Sequence, residues 1–227
     1  MQQPSTTGSR PFEQRAYLKR CEAISKVLVD YFTVSFEDTI DLGCGSGLVG
    51  LALLEAWRPW GGNVFFLDGR KEHTDKLSIV GNCAMPHDAQ QPLPHGADLI
   101  LCCGLLYHSE HPEKILANCT TAVRPDGALV VETLCMDRAS VWFLSFEESV
   151  KRVDQSVDGG CCRFSPDWLE RELHRLGYSK IVDLSAGIPD IPGDGYHLGF
   201  RYNWDLQDSG DSYRDGYGLR KLWVAWK

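Results

Sequence analysis

The residues whose types and spacing point to ligand chemistry are the run Asp41-Leu-Gly43-Cys-Gly45-Ser-Gly47 and, further on, Asp68. Three glycines at alternate positions let the backbone turn through conformations that a side chain forbids, and let a ligand come against the main chain. The amides that open the following helix would ordinarily cradle a phosphate. Two details point elsewhere. The spacing is Gly-x-Gly-x-Gly, unlike the Gly-x-Gly-x-x-Gly of a dinucleotide-binding turn, and Asp41 stands two positions before the first glycine. A carboxylate there repels a pyrophosphate but can hold an ammonium group, directly or through water. Asp68, at the end of the next strand, can accept hydrogen bonds from both hydroxyls of a ribose. Such bonds to an ionised acceptor are worth about 1.5–3 kcal/mol each. The combination fits a nucleoside that carries an amino acid; the competing role for Asp68 alone is a helix cap.

The elements that must position these residues alternate along the first 185 residues. Tyr17, Leu18, Cys21, Ile24, Leu28 and Tyr31 recur at three- and four-residue spacing and predict an amphipathic helix over 11–32. Thr39–Leu42 is a strand that runs into the glycine turn, and Leu48–Trp57 continues as helix until Pro59 stops it. Further strands are expected at Asn63–Leu67, Leu77–Val80, Asp98–Cys103, Ala128–Leu134, Ile181–Leu184 and Leu219–Trp226. A two-turn helix precedes Leu77, and longer ones run over Pro112–Val123 and from Ser165-Pro166 to Gly177. Alternation of this kind builds an α/β fold, a mostly parallel sheet with helices on both faces. The stretch 186–218, rich in glycine, proline, aspartate and aromatics, is an insertion between the last two strands, and its aromatics argue against disorder.

Composition narrows the classes. The chain of 227 residues is the length of one domain, here taken as 1–227 with the 186–218 insertion, and its 43 % apolar and 24 % charged residues are those of an ordinary globular protein. A net charge of −8 provides no basic field for a polyanion, so nucleic acid is a disfavoured partner and a small molecule the better one. The nine cysteines sit in apolar runs or on expected helices, without zinc-knuckle spacing, which suits free thiols in a reducing, cytoplasmic setting and predicts no metal. The polar start Met1–Arg10 and the lack of a long apolar run predict no leader and no membrane span. Oligomeric state is not legible.

Over about residues 11–185 the sequence resembles the class I S-adenosylmethionine-dependent methyltransferases. The likeness is carried by Asp41-Leu-Gly-Cys-Gly-Ser-Gly47, Leu67-Asp68-Gly-Arg70, Ala97-Asp-Leu-Ile-Leu101, Gly104-Leu-Leu-Tyr-His108, Arg124-Pro-Asp-Gly127 and Val130-Val-Glu-Thr-Leu134. The Leu-Tyr-His and Glu-Thr-Leu segments are most similar to tRNA wobble-uridine carboxymethyltransferases and related small-molecule methyltransferases. The resemblance implies a Rossmann-like sheet of seven strands, mostly parallel with a final antiparallel pair, and S-adenosylmethionine as cofactor. It places Gly43 and Gly45 against the methionine moiety, Asp41 near its amino group and Asp68 on the ribose hydroxyls. The adenine amine falls to Asn82 if Leu77–Val80 is the third strand, or to Asp88-Ala89 if that strand runs later; Asn82 is preferred, directly after the β-branched run, though a turn role suits it as well. Tyr107 can face the sulfonium through its ring, and His108 can act as general base or simply cap a helix start. Glu132 is placed to face the same pocket or to lie exposed. Arg10, Arg15, Tyr17 and Arg20 can meet a carboxylate of cofactor or substrate, or form a solvated helix face.

The implied activity is methyl transfer to a small molecule at oxygen, nitrogen or carbon, achieved largely by alignment because the sulfonium is already activated. Two rivals use the same cofactor: carboxymethyl transfer to tRNA, and a cyclisation within the cofactor that releases methylthioadenosine.

Overall fold

The computed structural model describes residues 11–135, 141–145, 160–189 and 219–227. Most of the 186–218 insertion, with all its aromatics, lies outside the described residues, as does Arg10. The helices are α1 (Pro11–Tyr31), α2 (Leu48–Trp57), α3 (Lys71–Ile79), α4 (Pro112–Ala122) and α5 (Pro166–Arg175). The strands are β1 (Asp38–Leu42), β2 (Asn63–Asp68), β3 (Cys83–Pro86), β4 (Ala97–Cys103), β5 (Val123–Cys135), β6 (Val141–Ser145), β7 (Gly160–Phe164), β8 (Lys180–Asp183) and β9 (Leu219–Trp226).

Strands β3, β2, β1, β4 and β5 lie side by side in that order, all parallel. Strand β9 then runs antiparallel along β5, and β8 antiparallel along β9. These seven form the expected sheet with its reversed last strand. The hairpin of β6 and β7 was not expected. It is attached through Phe164, which pairs with Cys135 at the tip of β5, past the point where β4 ends opposite Glu132. Its signal in the sequence is the short apolar run Val141-Trp-Phe-Leu144.

Side chains alternate across the sheet, so each central strand feeds two cores. Leu99 and Leu101 of β4, Val130 of β5 and Leu222 of β9 meet Cys21, Ile24 and Leu28 of α1 and Val49 and Leu53 of α2. Ile100 and Cys102, Val131 and Trp223 point the other way, onto Ile115 and Leu116 of α4 and Leu169 and Leu173 of α5. Helix α3 joins the α2 side, where Leu77 closes over Phe66 and Cys44.

That last contact corrects the third expected strand. Leu77–Val80 is the end of α3 with one residue beyond it; Leu77 is buried, whereas Ile79 and Val80 are largely exposed. The strand pairing with β2 is Cys83–Pro86, in register Phe65 with Cys83 and Asp68 with Pro86. An apolar run of four residues suits either a strand or a helix end, and what decides here is the need for Leu77 beneath the glycine turn. The β-carbon position of Gly47 lies only 2.8 Å from a Leu77 methyl.

Among the described residues no helix is long and apolar enough to cross a membrane, and no three His, Cys, Asp or Glu groups are placed to hold a metal. Cys21, Cys44, Cys102, Cys119 and Cys135 are buried free thiols.

Candidate active site at the carboxyl ends of the strands

Chain leaving β1 at Leu42 enters a turn in which Gly43, Gly45 and Gly47 have φ of +69°, +55° and +74°, a region that favours glycine. The turn is tied to β2. The amides of Gly43 and Cys44 donate to Leu67 O at 2.7 and 3.1 Å, and that of Gly45 donates to Asp68 Oδ2 at 2.8 Å. The other oxygen of Asp68 accepts from the Arg70 amide at 2.8 Å, just ahead of α3. Asp68 therefore joins two loops, yet a carboxylate has about four acceptor positions and these amides use two. His73 Nδ1 stands 3.4 Å from Asp68 Oδ2 and Arg70 Nε 3.7 Å from Oδ1. Burial works to raise the Asp68 carboxyl, but His73 and the Arg70 and Gly45 amides outweigh it and hold the group below its ordinary range. Asp68 is a permanent anion at neutral pH.

Asp41 is different. It is buried on β1, one oxygen accepting from the Gly50 amide of α2 at 3.1 Å. Helix α2 comes this close because residue 50 is glycine: a β-carbon there would lie 2.7 Å from both Asp41 Oδ2 and a ring carbon of Phe66. Burial pushes the Asp41 carboxyl up to about 7; the Gly50 amide works against the rise and the Asp68 charge with it. Folded protein thus keeps a proton on Asp41 that unfolded chain releases near pH 4. The stability from this group is complete below that value, drains away as pH climbs to about 7, and is flat above. Urea unfolding of wild type and Asp41→Asn at several pH values is expected to show it. The wild type loses up to a few kcal/mol relative to the variant between pH 4 and 7, and parallel curves would reject the shifted titration.

Asp41, Gly43, Gly45, Asp68, Tyr107 and His108 all line one cavity of about 280 Å³. Tyr107 and His108 lie on a 3-10 turn, Leu106–His108, just beyond β4; both are buried, with ring centroids 4.4 Å apart. Arg220 of β9 lies over the Tyr107 ring, 5.1 Å from its centroid, and also donates to the Tyr107 hydroxyl at 3.3 Å. From α1, Tyr17 bonds Ser46 in the glycine turn at 2.9 Å, and Arg20 lies buried beside it, 5.1 Å from the Tyr17 ring. Arg15 is exposed.

Asn82 is not brought to this cavity. With the third strand displaced to 83–86, Asn82 sits at its amino end, away from the carboxyl ends where the cavity opens, and its side-chain amide donates to Leu77 O at 3.3 Å. His87, Asp88, Ala89 and Gln90, which follow β3, line a small adjoining hollow together with Gly43, Gly69 and His108. His73 and Arg220 carry no local motif in the sequence: His73 lines the cavity from α3, and Arg220 supports it from β9 through its bonds to Tyr107 and Glu132.

Residues 13–182 match the family model of the methyltransferase domain. The chain belongs to this family.

The methyltransferase domain is 25 % identical over 174 residues to malonyl-[acyl-carrier protein] O-methyltransferase of Bacteroides fragilis, covering 74 % of this chain and 33 % of that one. It is 28 % identical over 118 residues to ubiquinone biosynthesis O-methyltransferase of Coxiella burnetii, 48 % of each chain. The alignments thus span a third to a half of the length of these relatives. Its fold is similar to that of human N-acetylserotonin methyltransferase in complex with SAM, with a TM-score of 0.56 and 14 % identity over 94 % of this chain and 56 % of that one.

Proposed function

We propose that the methyltransferase domain binds S-adenosylmethionine in the cavity between β1, β2 and β4 and methylates a hydroxyl oxygen of a small molecule. The observation that carries this reading is Asp68: a buried carboxylate at the strand tip, kept ionised, with acceptor positions left over beside the glycine turn. That acceptor set suits a diol. Asp41, at the other side of the same turn, suits an ammonium group, whose charge would stabilise the ionised carboxylate. Arg20, with its positive charge on the cavity wall, suits the accompanying carboxylate. Asp88 and Ala89 take the adenine in this reading, being on the loop that follows the observed β3. The relatives named O-methyltransferases support oxygen as the atom modified.

Bound S-adenosylmethionine supplies an electrophilic methyl group on a sulfonium. The protein's part is alignment and proton removal. Tyr107 and His108, held on their turn against the hairpin strand β7, wall the cavity on the side reached after β4. His108 takes the proton of the acceptor hydroxyl, a general-base role that asks for a side chain able to bind a proton near neutral pH.

Calorimetry separates this from a dinucleotide site. S-adenosylmethionine and S-adenosylhomocysteine are expected to bind with one-to-one stoichiometry and NAD not at all. Proton release should accompany S-adenosylmethionine binding below pH 7, as Asp41 ionises, and be read from buffers of different ionisation enthalpy. Binding of NAD in place of the sulfonium would overturn the reading.

A further inference from the structure

Glu132 lies near the end of β5, in the row Ala128, Val130, Glu132 that faces α1, and is completely buried. One oxygen, Oε1, accepts from Arg220 Nη1 at 3.1 Å. The other, Oε2, is buried and has no hydrogen-bond partner among the described residues. An ionised oxygen left so costs free energy unless something else completes it. Glu132 lines the same cavity as Tyr107 and Arg20. These three converge: the position a β-carbon would take on Gly104 lies 3.4 Å from Arg20 Nη2, 3.4 Å from the Tyr107 hydroxyl and 3.7 Å from Glu132 Oε2.

The chemistry of a matching group follows from the three atoms. Tyr107 Oη accepts from Arg220, so its own proton is directed to another acceptor. Oε2 of Glu132 requires a donor. A group meeting both must donate and accept at once. An ammonium only donates and leaves the Tyr107 proton without an acceptor. A carboxylate only accepts, and Oε2 repels it. A neutral hydroxyl satisfies both.

The geometry points to Glu132 Oε2 and Tyr107 Oη as the recognition pair for a hydroxyl of the acceptor, which makes alcohols and phenols the substrate class. This rests on the methyl-transfer reading and names its substrate. Arg220 holds Glu132 Oε1 and the Tyr107 oxygen with the same Nη1, and so fixes the distance between donor and acceptor.

Phenol is the probe, titrated into protein saturated with S-adenosylhomocysteine and followed by calorimetry or by ligand-observed NMR. Wild type is expected to bind phenol in preference to aniline and to benzoate. Glu132→Gln should weaken phenol by about 10- to 100-fold, the loss of one hydrogen bond to a charged acceptor, with S-adenosylmethionine affinity unchanged. Because Glu132→Gln leaves Arg220 short of an anion, Tyr107→Phe provides a second variant that keeps the ring and every charge; it too should weaken phenol. Equal phenol affinity in all three proteins, no phenol binding by wild type, or preference for benzoate would each overturn the assignment while leaving cofactor binding intact. A loss of S-adenosylmethionine affinity in Glu132→Gln as large as the loss for phenol would overturn it by giving Oε2 to the cofactor. A wild type that takes up no S-adenosylmethionine removes the methyl-transfer reading itself, and the acceptor assignment with it.

Discussion

Replacing Asp68 by alanine is expected to weaken S-adenosylmethionine binding by about 10²- to 10⁴-fold, the equivalent of losing two hydrogen bonds to an ionised acceptor at about 1.5–3 kcal/mol each. The carboxylate is already a structural tie, accepting from the Gly45 and Arg70 amides. Its removal therefore loosens the turn as well as the proposed ribose site. Asp68→Asn separates the two effects: its amide oxygen can keep one of those amide bonds, while the charge that strengthens the diol contact is gone. Calorimetry on both variants, with thermal unfolding as the check on fold, should rank affinity as wild type above Asn above Ala. An alanine variant that folds and binds as wild type would remove the ribose from Asp68.

Replacing His108 by alanine should lower kcat for methyl transfer by about 10²- to 10⁴-fold, the usual contribution of a positioned general base, with a much smaller change in S-adenosylmethionine affinity. The separation is expected because His108 lies on the turn after β4, whereas Asp41, Gly45 and Asp68 belong to β1, β2 and the loop between β1 and α2. Activity is read as S-adenosylhomocysteine released with the acceptor, and partial rescue by added imidazole distinguishes a missing base from a collapsed turn. Retained kcat would leave His108 with packing against Tyr107 as its role.

The two predictions differ in how far the sequence alone supports them. Asp41, the glycines and Asp68 were legible because their geometry is local: a strand, a tight turn and a helix start fix the positions of Asp41 and Gly43, and the end of the next strand fixes Asp68. Nothing beyond about thirty residues of chain is needed, given the parallel pairing that the β-α-β order imposes. The third strand was not legible on the same terms. Edge strand β3 has four residues, mostly exposed, with no alternation to mark them, whereas the apolar Leu77-Ser-Ile-Val80 nearby invites the assignment. Only the packed structure shows that Leu77 is a plug beneath Gly47, and with the strand moved the proposed adenine contact passes from Asn82 to the loop at Asp88.

Sequence by itself determined the α/β order, the glycine turn and the two acidic strand tips, since these follow from periodicity and from the steric permissiveness of glycine. What tertiary structure alone decided is the polar wall opposite them. Arg20 comes from the first helix, Glu132 from β5, Arg220 from the last strand and Tyr107 from the turn after β4. On β5 and β9 the row facing α1 is apolar at Ala128 and Val130, Val224 and Leu222, and turns charged only at Glu132 and Arg220. The reason is physical: the same face passes there from the packed core to the cavity that Glu132 lines, and a buried charge is tolerated where a partner such as Arg220 completes it. No window of sequence records where the core gives way to the cavity.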